Sequence, residues 1–372
     1  MTGKILSTVL FVLCIIALIL AAVVLSGIFF PENRVVTPRI SPVFSGQPPI
    51  HTTMTYPFQE GIVTIPVTVN GSVYEGAKNA DKSVTIIGNV SENVWVADSY
   101  LSMVDDPAQE DLYRDLRDQF RRIRAQQNLD DDEYLELMAV YVQSLKYETV
   151  GENPAKFPVE TVVDQAGDCD DKSVLLAGLL SREGYSVALL SFGTENHMAV
   201  GIGSQDYRYR NTSYTFLETT NITYVGVPTE KLGDDTPLDS FPVIIPVGNG
   251  VKTYSHGADT RSIHETMILS GQRAKELEPP VKTRQPELKE EQQAILDMEN
   301  RMQALKNAGR VGEYNAMVSS HNAKVSAYNS DLNSYRQLYA RYEKYATVYN
   351  YIITHEYDRK GVYQYIQANM TG

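Results

Sequence analysis

The stretch PVETVVDQAGDCDDKSVLLAGLLSREGYSVALLSFGTENHMAVGIG, Pro158 to Gly203, decides the fold class of this 372-residue chain. Within it, DKSVLLAGLLSREG reads as a buried helix that stops at Gly184, and YSVALLSF and HMAVGIG read as two buried strands. A third strand, YTFLETT (Tyr214–Thr220), follows a turn around Asn211. A helix packed on an antiparallel sheet is an α+β layer.

Cys169 stands where a loop meets that helix. Asp168 is a natural N-cap, and Asp171 is spaced to complete a capping-box-like turn. A thiol in the first helical turn gains from the helix dipole, whereas the flanking Asp168, Asp170 and Asp171 oppose its ionisation. A base is therefore needed. His197, 28 residues downstream at the start of a predicted strand, is the residue to pair with the thiol as an imidazolium and later protonate a leaving group. Glu218, near the end of the next strand, is the best-placed carboxylate to fix the imidazole tautomer, with Asp206 as a competitor in a turn. The backbone N–H of Cys169 and the side chain of Gln165 are the expected oxyanion donors. Metal binding through His197 with His256 or His264 lacks a compact ligand spacing, and no cofactor motif or calcium loop is visible.

GDCDDKSVLLAGLL followed by GYSVALL, NHMAVGI and YTFLETT resembles the transglutaminase-like superfamily, most closely its membrane-anchored archaeal members with a PxET segment upstream. The resemblance covers about a third of the chain, Leu112 to Pro228. It implies a transglutaminase-like, papain-like core with a cysteine-protease-type triad, whose three places are matched here by Cys169, His197 and Glu218. The third residue is most often Asp in the broader family.

Working outward, the run from Ile5 to Phe30 contains no charge. As a helix it would span roughly 39 Å, enough for a hydrocarbon core of about 30 Å, so residues 1–34 are expected to be a transmembrane anchor. Cys14 lies inside that run as a membrane-buried thiol, which leaves Cys169 as the one thiol outside it. Five glycosylation sequons, at Asn70, Asn89, Asn211, Asn221 and Asn369, point the large domain outward, to an extracytoplasmic place on a single-pass membrane glycoprotein. Residues 35–56 read as a stalk linker rich in Pro, Ser and Thr. Residues 57–104 read as a small β region built from GIVTIPVTV, SVYEG and KSVTIIGNV.

Helical periodicity begins near Pro107, with Leu112, Leu116, Phe120 and Ile123 and then Leu135, Met138, Val142 and Leu145 at three- and four-residue steps. Arg121, Arg122 and Arg124 read as a solvated helix face. The transglutaminase-like domain is drawn over residues 105–280, closed by Pro279 and Pro280. Residues 281–372 are expected to form a helical hairpin or coiled coil. Its second half steps through Tyr314, Val318, His321, Val325, Tyr328, Leu332, Tyr335, Tyr339, Tyr342, Ala346, Tyr349 and Ile353. His321 is expected to be a hydrogen-bonded core histidine.

The formal charge of −13 excludes a nucleic-acid partner, because phosphate binding needs a basic face. The sequence-level expectation is an acyl-transfer enzyme acting on protein or peptide amides, either a peptidase or amidase or a cross-linking transamidase. Self-association through the coiled coil is the further expected partner. A non-catalytic cell-surface binding module is the alternative.

Overall fold

The computed structural model describes residues 13–21, 33–44, 46–149, 154–233 and 235–370. The chain divides into two compact units, Met1–Gly257 and Ala258–Gly372.

The expected membrane anchor is corrected. Among the described residues no helix is long and apolar enough to cross a membrane. Residues 13–21 are helical. The rest of the Ile5–Phe30 run lies outside the described residues. The single-pass, extracytoplasmic placement and the membrane contact built on that anchor fall with it. Cys14 is exposed.

The first unit is α+β. A short strand β1 (Arg34–Val36) pairs antiparallel with β4 (Thr85–Ile87), and β2 (Ile50–Phe58) forms a hairpin with β3 (Gly61–Val69). The stretch expected as a stalk is docked: Ile40 is buried and its N–H donates to Asp106 (2.8 Å), and the Val43 N–H donates to the Ser72 carbonyl (3.1 Å). SVYEG, expected as a strand, lies in helix α1 (Gly71–Lys78), because Asn70 caps the helix by accepting from the Ser72 N–H (3.0 Å). Helix α2 (Glu92–Val104), where the sequence suggested only a β region, completes this part.

Helices α3 (Glu110–Gln127) and α4 (Asp131–Gln143) follow the predicted period. Leu112, Leu116, Phe120 and Ile123 are buried on one face of α3. A capping box between Asp130 and Glu133 starts α4, which is buried along its length. The basic run is not simply solvated, since Arg121 joins Arg117 in bonding Glu183 (3.0 and 2.6 Å). A two-residue strand β5 (Lys146–Tyr147) pairs in parallel with β6 (Ala166–Gly167), which follows helix α5 (Pro158–Asp164).

Helix α6 (Cys169–Arg182) is the central element, buried from Asp171 to Leu180. It packs on an antiparallel four-stranded sheet in the order β10 (Val243–Val247), β7 (Val187–Phe192), β8 (His197–Gly203), β9 (Tyr214–Leu217). Strands β7 and β8 are almost wholly buried, as their continuous apolar runs require.

The second unit is helical. Helix α7 (Gly257–Asn307) runs through Pro279, Pro280 and Pro286, where the sequence suggested a boundary. All three prolines are exposed. The seam face meanwhile continues unbroken through Leu277, Val281, Arg284 and Leu288. Helix α8 (Val311–Thr354) runs antiparallel to it, tied by Arg284 to Asp331 (2.8 Å) and by His321 to Glu299 (3.1 Å). A short helix α9 (Arg359–Met370) stacks Tyr365 on Tyr351 at 3.8 Å between ring centroids. In α8 the seam follows the predicted steps to Tyr335 and then shifts to Leu338, Tyr342, Tyr345, Tyr349 and Ile352. Tyr339 and Ile353 are therefore exposed. Two successive three-residue steps move the stripe around the helix, a break that a strict heptad reading passes over.

Candidate active site

Cys169 is the first residue of α6 and lies 9 % exposed. The capping box forms between Asp168 and Asp171: the Asp171 N–H donates to Asp168 (3.3 Å) and the Asp168 N–H to Asp171 (3.2 Å). Gly167 precedes the cap because a Cβ there would come within 2.6 Å of the Asp171 Cβ. The helix start thus tolerates no side chain two residues before the thiol.

His197 opens β8 and Glu218 follows the last residue of β9. His197 Nε2 and Glu218 Oε2 are 3.1 Å apart, both residues buried. Oε2 also accepts from the Thr229 hydroxyl (2.6 Å), and Oε1 accepts from the Thr219 and Thr220 N–H groups and the Thr220 hydroxyl at 2.9 to 3.0 Å. Burial alone would raise the Glu218 carboxyl, but the His197 hydrogen bond and charge, with the Thr229 and Thr220 donors, overcome it and hold the pKa at about 2. Glu218 is therefore a carboxylate at neutral pH, and its acceptor oxygen places a His197 proton on Nε2. Nδ1 makes no hydrogen bond among the described residues.

The thiol sits against the residues that flank His197. Sγ lies 4.0 Å from the Asn196 carbonyl oxygen and 3.9 Å from Asp170 Oδ1. Burial, and next the Asp170 charge, push the Cys169 thiol up to about 12, while the Met198 backbone N–H works in the opposite direction. The dipole of α6 does not prevail here, and the group at rest is a thiol. Asp170 is itself pushed up to about 8 by burial and by its hydrogen bond and charge contact with Asp168, and it accepts from the Tyr100 hydroxyl (3.2 Å).

The other sequence candidates lie elsewhere. Gln165, the expected oxyanion donor, spends its amide on the Thr52 hydroxyl and the Thr53 carbonyl of β2. Asp206 lies beyond the far end of β8 from His197 and donates its N–H to Ser204 (3.2 Å). His256 pairs with Asp132 (2.6 Å). Among the described residues, Asp168, Cys169 and Asp170 bring ligand-type atoms within 4.8 Å of one another, the spacing a cation would need. Of the sequons, Asn70 is used as a helix cap, and all five asparagines are exposed. The Thr371 of the last sequon lies outside the described residues.

The sequence reading missed the supports of the acid. Lys172, one turn along α6 from Cys169, is fully buried and donates to the carbonyls of Gln143, Leu145 and Thr220 at 3.1, 2.9 and 3.3 Å. Burial pulls its pKa down to about 8. Gln143 adds a bond from Nε2 to the Glu218 carbonyl (2.8 Å). The signal was present, since Lys172 interrupts an apolar helix face and the polar ETT closes an apolar strand. Thr229 also lines a cavity of about 410 Å³ with Tyr207, Arg208, Arg210 and Glu230. Comparison with protein-family models, with curated proteins and with solved structures gives no match.

Proposed function

We propose that this chain is a transglutaminase-like cysteine enzyme that performs acyl transfer on protein or peptide amides. The observation that carries the reading is the His197–Glu218 hydrogen bond, with Cys169 at a helix start against the residues on either side of His197. With the acid ionised and Nε2 holding a proton, the Nδ1 lone pair is the base available to the thiol. Because the thiol is held protonated, proton transfer to His197 accompanies attack and does not precede it. Sγ bonds to the amide carbon, the amine leaves with the proton from His197, and water or a second amine resolves the thioester. Water gives an amidase or peptidase, and a lysine amine gives a cross-link.

The buried, high-pKa thiol is the observation favouring a non-catalytic binding module that keeps the same scaffold. The deciding experiment incubates the protein with casein and a fluorescent alkylamine, following amine incorporation and peptide release together. Either product, lost in Cys169→Ala, supports the enzyme. Neither product from folded protein favours the binding module.

A further inference from the structure

His197 begins β8 directly after a turn, residues 193–196, and what holds that turn decides where the imidazole stands. Glu195 ties it from outside. The N–H groups of Asp239 and Ser240 donate to Glu195 Oε1 (3.1 and 2.7 Å), and the Ser240 hydroxyl donates to Oε2. Among the described residues Glu195 bonds neither Cys169 nor His197, so whatever it does for them passes through the backbone.

The turn needs such a tie. Gly193, Thr194 and Asn196 are exposed, and Asn196 has a φ of 47°, in the left-handed region that asparagine enters more readily than most residues. From that bend the Asn196 carbonyl lies 4.0 Å from the thiol, and β8 starts one residue later. The anchor is itself held. The Arg210 guanidinium donates to the carbonyls of Leu238, Asp239 and Ser240 (2.7 Å each) and lies over the rings of Tyr209 and Phe241. The Leu238 N–H donates to the Glu230 carbonyl (3.1 Å), and the neighbouring Thr229 hydroxyl bonds Glu218. One anchored stretch thus reaches the acid on one side and the turn before the imidazole on the other.

We propose that Glu195 is a positioning residue: by fastening the 193–196 turn to residues 238–240 it keeps His197 in register with both Glu218 and Cys169. This rests on the acyl-transfer reading, in which His197 takes the thiol proton. No bond to Glu195 forms or breaks in the reaction. Its carboxylate acts by geometry, and glutamine can do the same, since its Oε1 accepts both N–H bonds and its amide N–H donates to the Ser240 hydroxyl oxygen. A misplacement of 1 Å can cost about 10²-fold, so a loosened turn is expected to cost about tenfold.

The test follows alkylation of Cys169 by iodoacetamide in the full chain, in which Sγ displaces iodide and the thiol proton passes to His197. Peptide mass spectrometry counts the exposed Cys14 separately. Glu195→Ala is expected to slow Cys169 about tenfold in the wild-type background and to stay within about twofold in a His197→Ala background, where no imidazole remains to be placed. Glu195→Gln is expected to stay within about twofold of the wild type. Should Glu195→Ala fail to fold, Ser240→Ala, which removes one of the three donors, carries the same comparison with about threefold expected. No slowing in the wild-type background, equal slowing in both backgrounds, or a Glu195→Gln rate as low as that of Glu195→Ala overturns the proposal. A His197→Ala rate equal to the wild type's overturns the acyl-transfer reading itself, and the role of Glu195 with it.

Discussion

The α6 region and the α7–α8 hairpin obey different rules of specification. In the hairpin a three- and four-residue rhythm repeats along two long helices, so each seam residue carries a small share of the burial. At the start of α6, single residues occupy roles that no neighbour duplicates: one thiol, one imidazole, one carboxylate and one buried ammonium. Repetition makes the hairpin readable and tolerant. Uniqueness makes the site demanding and hard to read.

The sharpest test of that contrast is His197→Ala, which is expected to lower Cys169-dependent acyl transfer by about 10³-fold or more while leaving the fold intact, as far-UV circular dichroism would verify. A melting temperature that collapsed with activity would make His197 a structural residue. The hairpin should answer in the opposite way. Leu288, buried in the seam, is expected to cost about 3 kcal/mol on replacement by Asp, seen as lost helicity with no change at the thiol.

A pH experiment sharpens the comparison within the first unit. Because the folded Glu218 pKa of about 2 lies below its ordinary value of 4.5, the carboxylate contributes roughly 3 kcal/mol at neutral pH. That stability is present above about pH 4.5 and is lost as pH falls through about 2. Urea unfolding of Glu218→Gln against the wild type should show a gap that closes over this window, and a gap that persisted at pH 2 would refute the assignment. The smallest effect is expected from Tyr339→Ala. The residue is 41 % exposed, so unfolding free energy should move by no more than about 0.5 kcal/mol, whereas a strict heptad seam would make it far more costly.

What the sequence made legible follows the same division. The capped helix start at Asp168–Asp171 and the buried strands were readable because each rests on local pattern, and the meeting of His197 with Glu218 followed from their places at the ends of two neighbouring strands. Lys172 and Thr229 were not, because their partners lie 27 to 48 and 11 residues away and only the packed sheet brings them together. SVYEG has β-forming residues, but a cap one residue upstream decided otherwise. The uncharged N-terminal run read as a membrane span on its length, whereas among the described residues no helix is long and apolar enough for one. The prolines of α7 misled in the other direction, since their cost depends on which face of the helix they occupy.

Lys172 gives the site a thermal character of its own. One ammonium holds the exit of α4 and the turn after Glu218, so any opening that frees the Gln143 and Leu145 carbonyls also releases the turn that carries the acid. Such local openings are populated at temperatures below the cooperative transition. Warming should therefore loosen the Glu218 turn, and with it the proposed acyl transfer, some degrees before the molecule melts.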